Sequence, residues 1–369
     1  MSGKQVNLTD EDKKKMLNVG VKQKDKEKSG SYILVDDEIV EVDLNLEGVE
    51  LMPIEMALKK YDWVEDYMWK LVDPQKDEYT KKAYEDKNPK GYFIRVKKGY
   101  KVKFPLQACF YIKATRKEQV VHNILIAEEG SELHIINGCA SGNYVKEGYH
   151  IGITETFVKK DAFLSYTMIH DWAAGVTVRP RSAVEVGENG QYMSNYVSLK
   201  EVHSTETSPV VYVNGKNGKA RLNSILFAPD NTDLFVGGKI QLNAKGARGD
   251  IISRTVTNGG DIKAPVELEA TVEKASGYME CNGLILKDGG NIFSSPSLNS
   301  SIQDVELAHE ASVGRIGQEE IEYLMSRGIT EEQARSLIVH GFLDLKIKGL
   351  PEFLQHSIDD AVQKSIKGM

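Results

Sequence analysis

The chain has 369 residues, 41% hydrophobic and 27% charged, which is enough for a large core in one elongated domain or two to three compact ones and excludes disorder throughout. Its 47 basic and 54 acidic residues leave a net charge of −7 with no strongly basic block, so the broad positive face of a nucleic-acid binder is not expected. No apolar run approaches the roughly 18 residues of a membrane span and the N-terminus lacks a signal-peptide stretch; with only Cys109, Cys139 and Cys281, spaced 30 and 142 apart, a reducing, cytoplasmic setting is expected.

Residues 1–30 hold eight Lys and five Asp or Glu with almost nothing to bury, and read as a mobile charged arm. Residues 31–95 are mixed. SYILVDDEIVEVDL reads as a short strand pair, and IEMALKKYDWVEDYMWKLV spaces Met56, Leu58, Trp63, Met68 and Leu71 as a helix does, which predicts a small helical cap. Residues 96–312 are β-branched and aromatic segments punctuated by Gly, Asn and Asp, an all-β body. In VELEATVE, Val266, Leu268, Ala270 and Val272 fall on one side of a strand and Glu267, Glu269, Thr271 and Glu273 on the other.

Strand, tight polar turn and strand recur six times, with turns at Ser131, Asp161, Gly190, Gly218, Gly249 and Ser276, separated by 30, 29, 28, 31 and 27 residues. A period this regular points to a stacked array in which each unit buries its apolar face only on its neighbours, a β-solenoid in preference to a sandwich or jelly roll. Residues 313–369 turn helical. Ile321, Leu324 and Met325 share a stripe that ends at Gly328; Thr330 and Gln333 have capping-box spacing before a helix expected to bury Ala334, Leu337 and Ile338; and a last helix from Pro351 presents Leu354, Ile358, Val362 and Ile366.

Phosphate-loop, dinucleotide, H-E-x-x-H and C-x-x-C motifs are all missing, so nucleotide hydrolysis and a self-contained ferredoxin-type cluster are not expected. What remains is three thiols, eight histidines and the pair His309-Glu310. Cys281, in GYMECNGLIL, shares strand parity with Met279, Gly283 and Ile285 and competes with a plain reading as a small buried hydrophobe, as does Cys109. Cys139, in IINGCASG, has glycines that let a backbone or ligand come close. His309 and Glu310, being adjacent, point to opposite faces of an ideal strand, so a site using both needs a bend or two sites. Thiolate, imidazole and carboxylate all bind iron, and a site with fewer thiolates holds a cluster less tightly, which suits transfer better than electron transport.

SGSYILVDDEIV, KYDWVEDYMWKLV, GYFIRVKKGYKVKFPLQACFYI, INGCASG, YHIGITETFVKKDAFLSYTMIHDW, ECNGLIL and HEASVGRIGQEEIEYLMSRGITEEQARSLIVHGF resemble the SufB/SufD family of iron-sulfur cluster biogenesis, from about Gly20 to the C-terminus. The resemblance implies a right-handed parallel β-helix with N- and C-terminal helical regions. It also implies a scaffold that is not itself an enzyme and is gripped at residues 317–367 by the ABC-type ATPase SufC. A nascent [4Fe-4S] or [2Fe-2S] cluster would be built where two β-helix ends pair, from sulfur donated by a desulfurase system, with FADH2 allowed in the complex. By motif, Cys281 matches the SufB cysteine of C-[DN]-[SG]-L-[LI], Glu310 the glutamate of its H-E-A segment, His309 the histidine SufD keeps in H-G-A, and Cys139 the SufB E-G-C cysteine associated with sulfur acceptance. One chain thus carries every implied ligand, which favours a homodimer over a SufB-SufD heterodimer. Persulfide sulfur is expected at Cys139 or directly at Cys281.

Two departures stand out. The family's V-Q-N-W reads Ile169, His170, Asp171, Trp172, placing a metal- and proton-binding imidazole where the family has an amide, and Ser141 and Gly142 replace the proline after Cys139-Ala140. Two other classes remain: a polysaccharide-acting β-helix, which needs paired carboxylates beyond the solvated row Glu267, Glu269 and Glu273, and a structural adaptor for the ATPase with no cluster of its own.

Overall fold

Strict alternation of side chains builds the molecule. In the strand Asp261–Ala270, Ile262, Ala264, Val266, Leu268 and Ala270 are buried while Glu267 and Glu269 reach solvent. The computed structural model describes residues 6–21, 28–44 and 46–343 and is mainly β, a parallel β-solenoid of about eight turns with helices at both ends. The helix expected from Pro351 lies outside the described residues.

Two sheets of ten and eleven strands form the walls. The pairings are parallel except the hairpin Gly30–Val35 with Glu38–Leu44 and the pair Val49–Pro53 with Tyr92–Val96. Residues one coil apart are register partners, so side chains stack in rows: Asn137, Met168, Tyr196, Ser224, Ser253, Cys281 and Ala311 form one row along the first sheet. The main core fills the lumen between the sheets, from Phe110 and Leu133 to Met279 and Cys281.

The repeat is set at the turns. Gly130, Asp161, Asn189, Asn217, Gly246, Lys274 and Asp304, 28 to 31 residues apart, each take positive φ, the left-handed region open to Gly and tolerated by Asn and Asp. Asp161 N–H donates to Glu188 C=O (2.8 Å) and Asn189 N–H to Lys216 C=O (2.8 Å), tying each turn to the next. Asn189 Nδ2 donates to Asp161 Oδ1 (2.8 Å) and Asn217 Nδ2 to Asn189 Oδ1 (3.2 Å). The turn residues read from sequence fall on these positions or up to three residues beyond, so that Gly249 already lies in the strand Arg248–Asn258.

The mobile arm expected over residues 1–30 is corrected at residues 9–21. Helix α1 (Asp10–Asn18) starts on a Thr9 capping box and packs Met16, Val19 and Val21 on the outer face of the first sheet against Ile136 and Ile169. Tyr111 donates its hydroxyl to buried Asp12 (2.6 Å), and Lys15 reaches Asp171 (2.7 Å). Three well-placed apolar residues and two polar anchors hold the helix, which a charge count over thirty residues does not register. The helical cap is also interrupted: α2 (Ile54–Lys60) stops at extended Tyr61, a 3-10 turn covers Asp62–Tyr67, and α3 (Glu78–Glu85) follows, capped by Asp77. Glu155, fully buried on the outer face of the second sheet, accepts from the backbone of Trp69 and Leu71 (2.6 Å each) and Val72 (3.2 Å) and pairs with His122 Nε2 (2.8 Å). At the other end come α4 (Gln318–Met325) and α5 (Glu331–Leu343), with the Thr330–Gln333 capping box formed as expected. Ala334 is buried as expected, but Leu337 is exposed and Ile338 half-buried; Val339 and Leu343 are buried instead, because they pack with Ile225, Ile252 and Val256 of the first sheet.

Candidate functional site

The strand Ser276–Ile285 places Met279 and Cys281 in the lumen and Tyr278, Glu280 and Asn282 outside. Cys281 has the parity expected of it and is 2% exposed; burial pushes its thiol pKa up, partly offset by the Arg254 guanidinium. The last strand, Glu306–Arg315, pairs His309 with Met279, Glu310 with Glu280 and Ala311 with Cys281. His309 therefore shares the luminal parity of Cys281, one strand over and two residues along, roughly 8 Å between Cα atoms from standard sheet spacings. Glu310 faces the other way and accepts a hydrogen bond from Tyr278 Oη (3.1 Å). Within one chain the three residues do not converge, and among the described residues no group of three or more His, Cys, Asp or Glu side chains lies close enough to hold a metal ion.

Among the described residues, this end of the solenoid is open. Glu306–Arg315 and Asn291–Ser300 each end a sheet, with no strand on their far edge among the described residues, and Phe293 and Val313 stand exposed beside them. On the outer face, Arg254 links Glu280, with which it forms an ion pair, to the Phe342 ring of α5, 6.0 Å from the guanidinium. Tyr323 and Met325 of α4 and Leu337 of α5 stand exposed.

Cys139 lies deep in the lumen near the other end, wholly buried, accepting from Asn137 Nδ2 (3.1 Å) and paired in register with His170. Burial drives its thiol well above the ordinary range. Gly138 beside it is required for another reason than ligand approach: a Cβ there would meet the Val19 carbonyl at 2.8 Å, so the glycine admits the end of α1. Cys109 has the opposite parity and packs under α1 as a small hydrophobe, its thiol pushed up to about 12.

Around Cys139 the lumen is unusually polar. His150, His170, Asn137 and Tyr166 line a cavity of about 10 Å³, followed toward the open end by one of about 60 Å³ lined by Tyr196, Ser224 and Ile251. Both imidazoles are held neutral, their pKa lowered by burial to about 3. From there the row Tyr196, Ser224, Ser253, Cys281 runs to the open end, with Ser224 Oγ donating to Ser253 Oγ (2.9 Å). Cys139 and Cys281 sit five strand steps apart, about 24 Å at ~4.8 Å per step.

Sequence reasoning missed His150, Gln119 and Tyr196. The signal was present in YHIGITETF, where His150, Gly152, Thr154 and Thr156 alternate with Ile151, Ile153, Glu155 and Phe157, but here the polar set faces the lumen and the apolar set lies under the N-terminal helices. The acidic row Glu267 and Glu269 is held by Lys239 (3.2 and 2.6 Å), a neutralised surface and not an acid–base pair. No helix among the described residues is long and apolar enough to cross a membrane.

Residues 110–342 match the family described as SUF system FeS cluster assembly, SufBD core domain. An iron-sulfur cluster assembly SufBD family protein of Archaeoglobus fulgidus is 44% identical over 353 residues, covering 95% of this chain and 94% of that protein. One from Methanothermobacter thermautotrophicus is 40% identical over 96% of this chain and 87% of its own length, and the iron-sulfur cluster assembly protein SufB of Bacillus subtilis is 29% identical over 84% and 67%. Solenoid, luminal cysteines and these likenesses agree: the chain belongs to the SufBD family of iron-sulfur cluster assembly proteins.

Proposed function

We propose that this chain is the scaffold on which a nascent iron-sulfur cluster, its cargo, is assembled between two copies joined through the open ends of their solenoids. The observation that carries the reading is the luminal row that ends in Cys281 beside two unpaired strand edges, with His309 on the same face. A two-fold axis there doubles both ligands. Glu310 reaches the cluster from the rim of the last strand once its bond from Tyr278 is released. Sulfur is accepted at Cys139 as a persulfide from a desulfurase system and passes along the lumen to Cys281.

The exposed apolar side chains Tyr323, Met325 and Leu337 support docking of a SufC-type ATPase on the C-terminal helices, within residues 317–367, of which 344–367 lie outside the described residues. The chain itself then contributes no nucleotide chemistry. Movement of α5 is transmitted through Phe342, Arg254 and Glu280 to the strand that neighbours Glu310. Nucleotide state shifts the interface only to the extent that the ATPase binds the two scaffold conformations with different affinity.

Anaerobic reconstitution with iron and sulfide, followed by absorption and Mössbauer spectra, tests the reading. Wild type should build an oxygen-sensitive cluster and Cys281→Ser should not, while both bind the ATPase equally. A cluster retained in Cys281→Ser removes the ligand assignment, and firm ATPase binding with no cluster in either protein favours the adaptor.

A further inference from the structure

Near the open end the two walls of the lumen come to touching distance. Strand Ser276–Ile285 lies in the first sheet, and Asn291–Ser300, the next strand in the chain, lies in the second. Asn291–Ser300 turns Ile292, Ser294, Pro296 and Leu298 inward, since these pair in register with Ile262, Ala264, Val266 and Leu268, all buried. Gly283 on the facing strand marks how near the walls are: a Cβ there would meet Ile292 Cγ2 at 3.1 Å. The chain reverses between the two strands, so facing positions step in opposite directions along them. Two residues on from Gly283 and Ile292, Cys281 therefore faces Ser294.

Ser294 is half-buried, but its Oγ is shut off from solvent and no well-aligned hydrogen bond engages it. The group on which this hydroxyl bears is the Cys281 thiol. A protonated thiol is a weak hydrogen-bond partner, so the hydroxyl is under-used in the resting chain. Buried polar atoms without good partners are rare enough to require a reason. Nothing beside the pair competes for the bond. In its row Cys281 lies between Ala311 and Ser253, which already accepts from Ser224 Oγ (2.9 Å), and Ser294 has Ala264 on one side and, among the described residues, no strand on the other. A thiolate held by a metal is a much stronger acceptor than a thiol, and charge assistance shortens and strengthens the bond it receives.

We propose that Ser294 is a positioning residue of the assembly site, whose hydroxyl donates a hydrogen bond to the Cys281 sulfur once iron has displaced the thiol proton. This rests on the reading of Cys281 as a cluster ligand and adds the residue that sets how tightly that ligand holds. A hydrogen bond to a ligating thiolate draws charge from the sulfur, which weakens its bond to iron and raises the reduction potential of the cluster. Ser294 thus favours release of the cargo over its retention. A two-fold arrangement of two copies supplies one such hydroxyl to each Cys281.

The test compares the full chain, reconstituted anaerobically with iron and sulfide, with Ser294→Ala and with Ser294→Thr, which keeps the hydroxyl. In Ser294→Ala the midpoint potential of the cluster should move to more negative values and the removal of iron by a chelator should slow about tenfold, the scale of one charge-assisted hydrogen bond. Ser294→Thr should keep both close to wild type. The iron–thiolate band of the resonance Raman spectrum should shift in deuterium oxide for wild type, because the donated proton exchanges, and should not shift for Ser294→Ala. A Cys281-dependent cluster with unchanged potential and chelation rate in Ser294→Ala overturns the role of Ser294 and leaves the scaffold reading standing. A deuterium shift that persists in Ser294→Ala places the donor elsewhere, which also overturns it. No cluster in wild type, or a cluster retained in Cys281→Ser, removes the ligand reading on which the inference rests. A wild-type band indifferent to deuterium overturns the inference even if both variants fail to fold.

Discussion

His150 and His170 stay neutral inside the solenoid because burial holds each pKa down to about 3, against the ordinary 6.5 of an exposed imidazole. The sign of the consequence follows from linkage. Between about 6.5 and about 3 the unfolded chain binds protons that the folded chain refuses, so stability is lost as pH falls through that window. At pH 5 the loss reaches about 2 kcal/mol for each ring taken alone. The denaturation midpoint should therefore drop between pH 7 and pH 5, and His170→Gln should flatten the drop; an unchanged slope in that variant would show that the ring is not kept neutral. The parity of Cys281 could be read from GYMECNGLIL, since Met279 marks the buried side. The luminal place of His150 could not, because alternation alone does not say which face is the lumen when helices cover the outside.

At the scale of elements, the C-terminal helices were legible through local chemistry: Thr330, Gln333 and a left-handed Gly328 form the expected caps. Helix α1 was not, since its hold comes from Asp12 with Tyr111 and Lys15 with Asp171, partners 99 and 156 residues away. The N-terminal cap shows the same dependence on distant partners. Glu155 gathers three backbone N–H groups from residues 69–72 and His122, so Glu155→Ala leaves four donors unpaired against an apolar sheet face. The expected cost is about 3 to 5 kcal/mol, concentrated in residues 61–73. Hydrogen exchange should rise there while the strands from Gln191 onward stay protected; uniform loss of protection would mean that cap and solenoid unfold as one unit.

For the whole molecule, the stacked architecture was the most legible feature, because one left-handed turn residue per coil repeats whatever the strands between carry. What the period could not supply was the termination. The last coil ends on exposed Val313 with a bare strand edge. On the proposed two-copy assembly, Val313→Lys should leave folding stability within about 0.5 kcal/mol and convert the sedimenting species from dimer to monomer. A dimer that survives the substitution places the contact elsewhere. The turn ladder carries one more implication, in terms of local softness. Each inner coil is clamped by backbone bonds from the coils on both sides, such as Asn189 to Lys216 and Asn217 to Lys245, whereas the coil bearing His309 is clamped from one side only. Among the described residues, thermal fraying of the array therefore begins at the strand that bears His309, so that on the proposed assembly a group at that rim can come and go while the inner coils stay clamped.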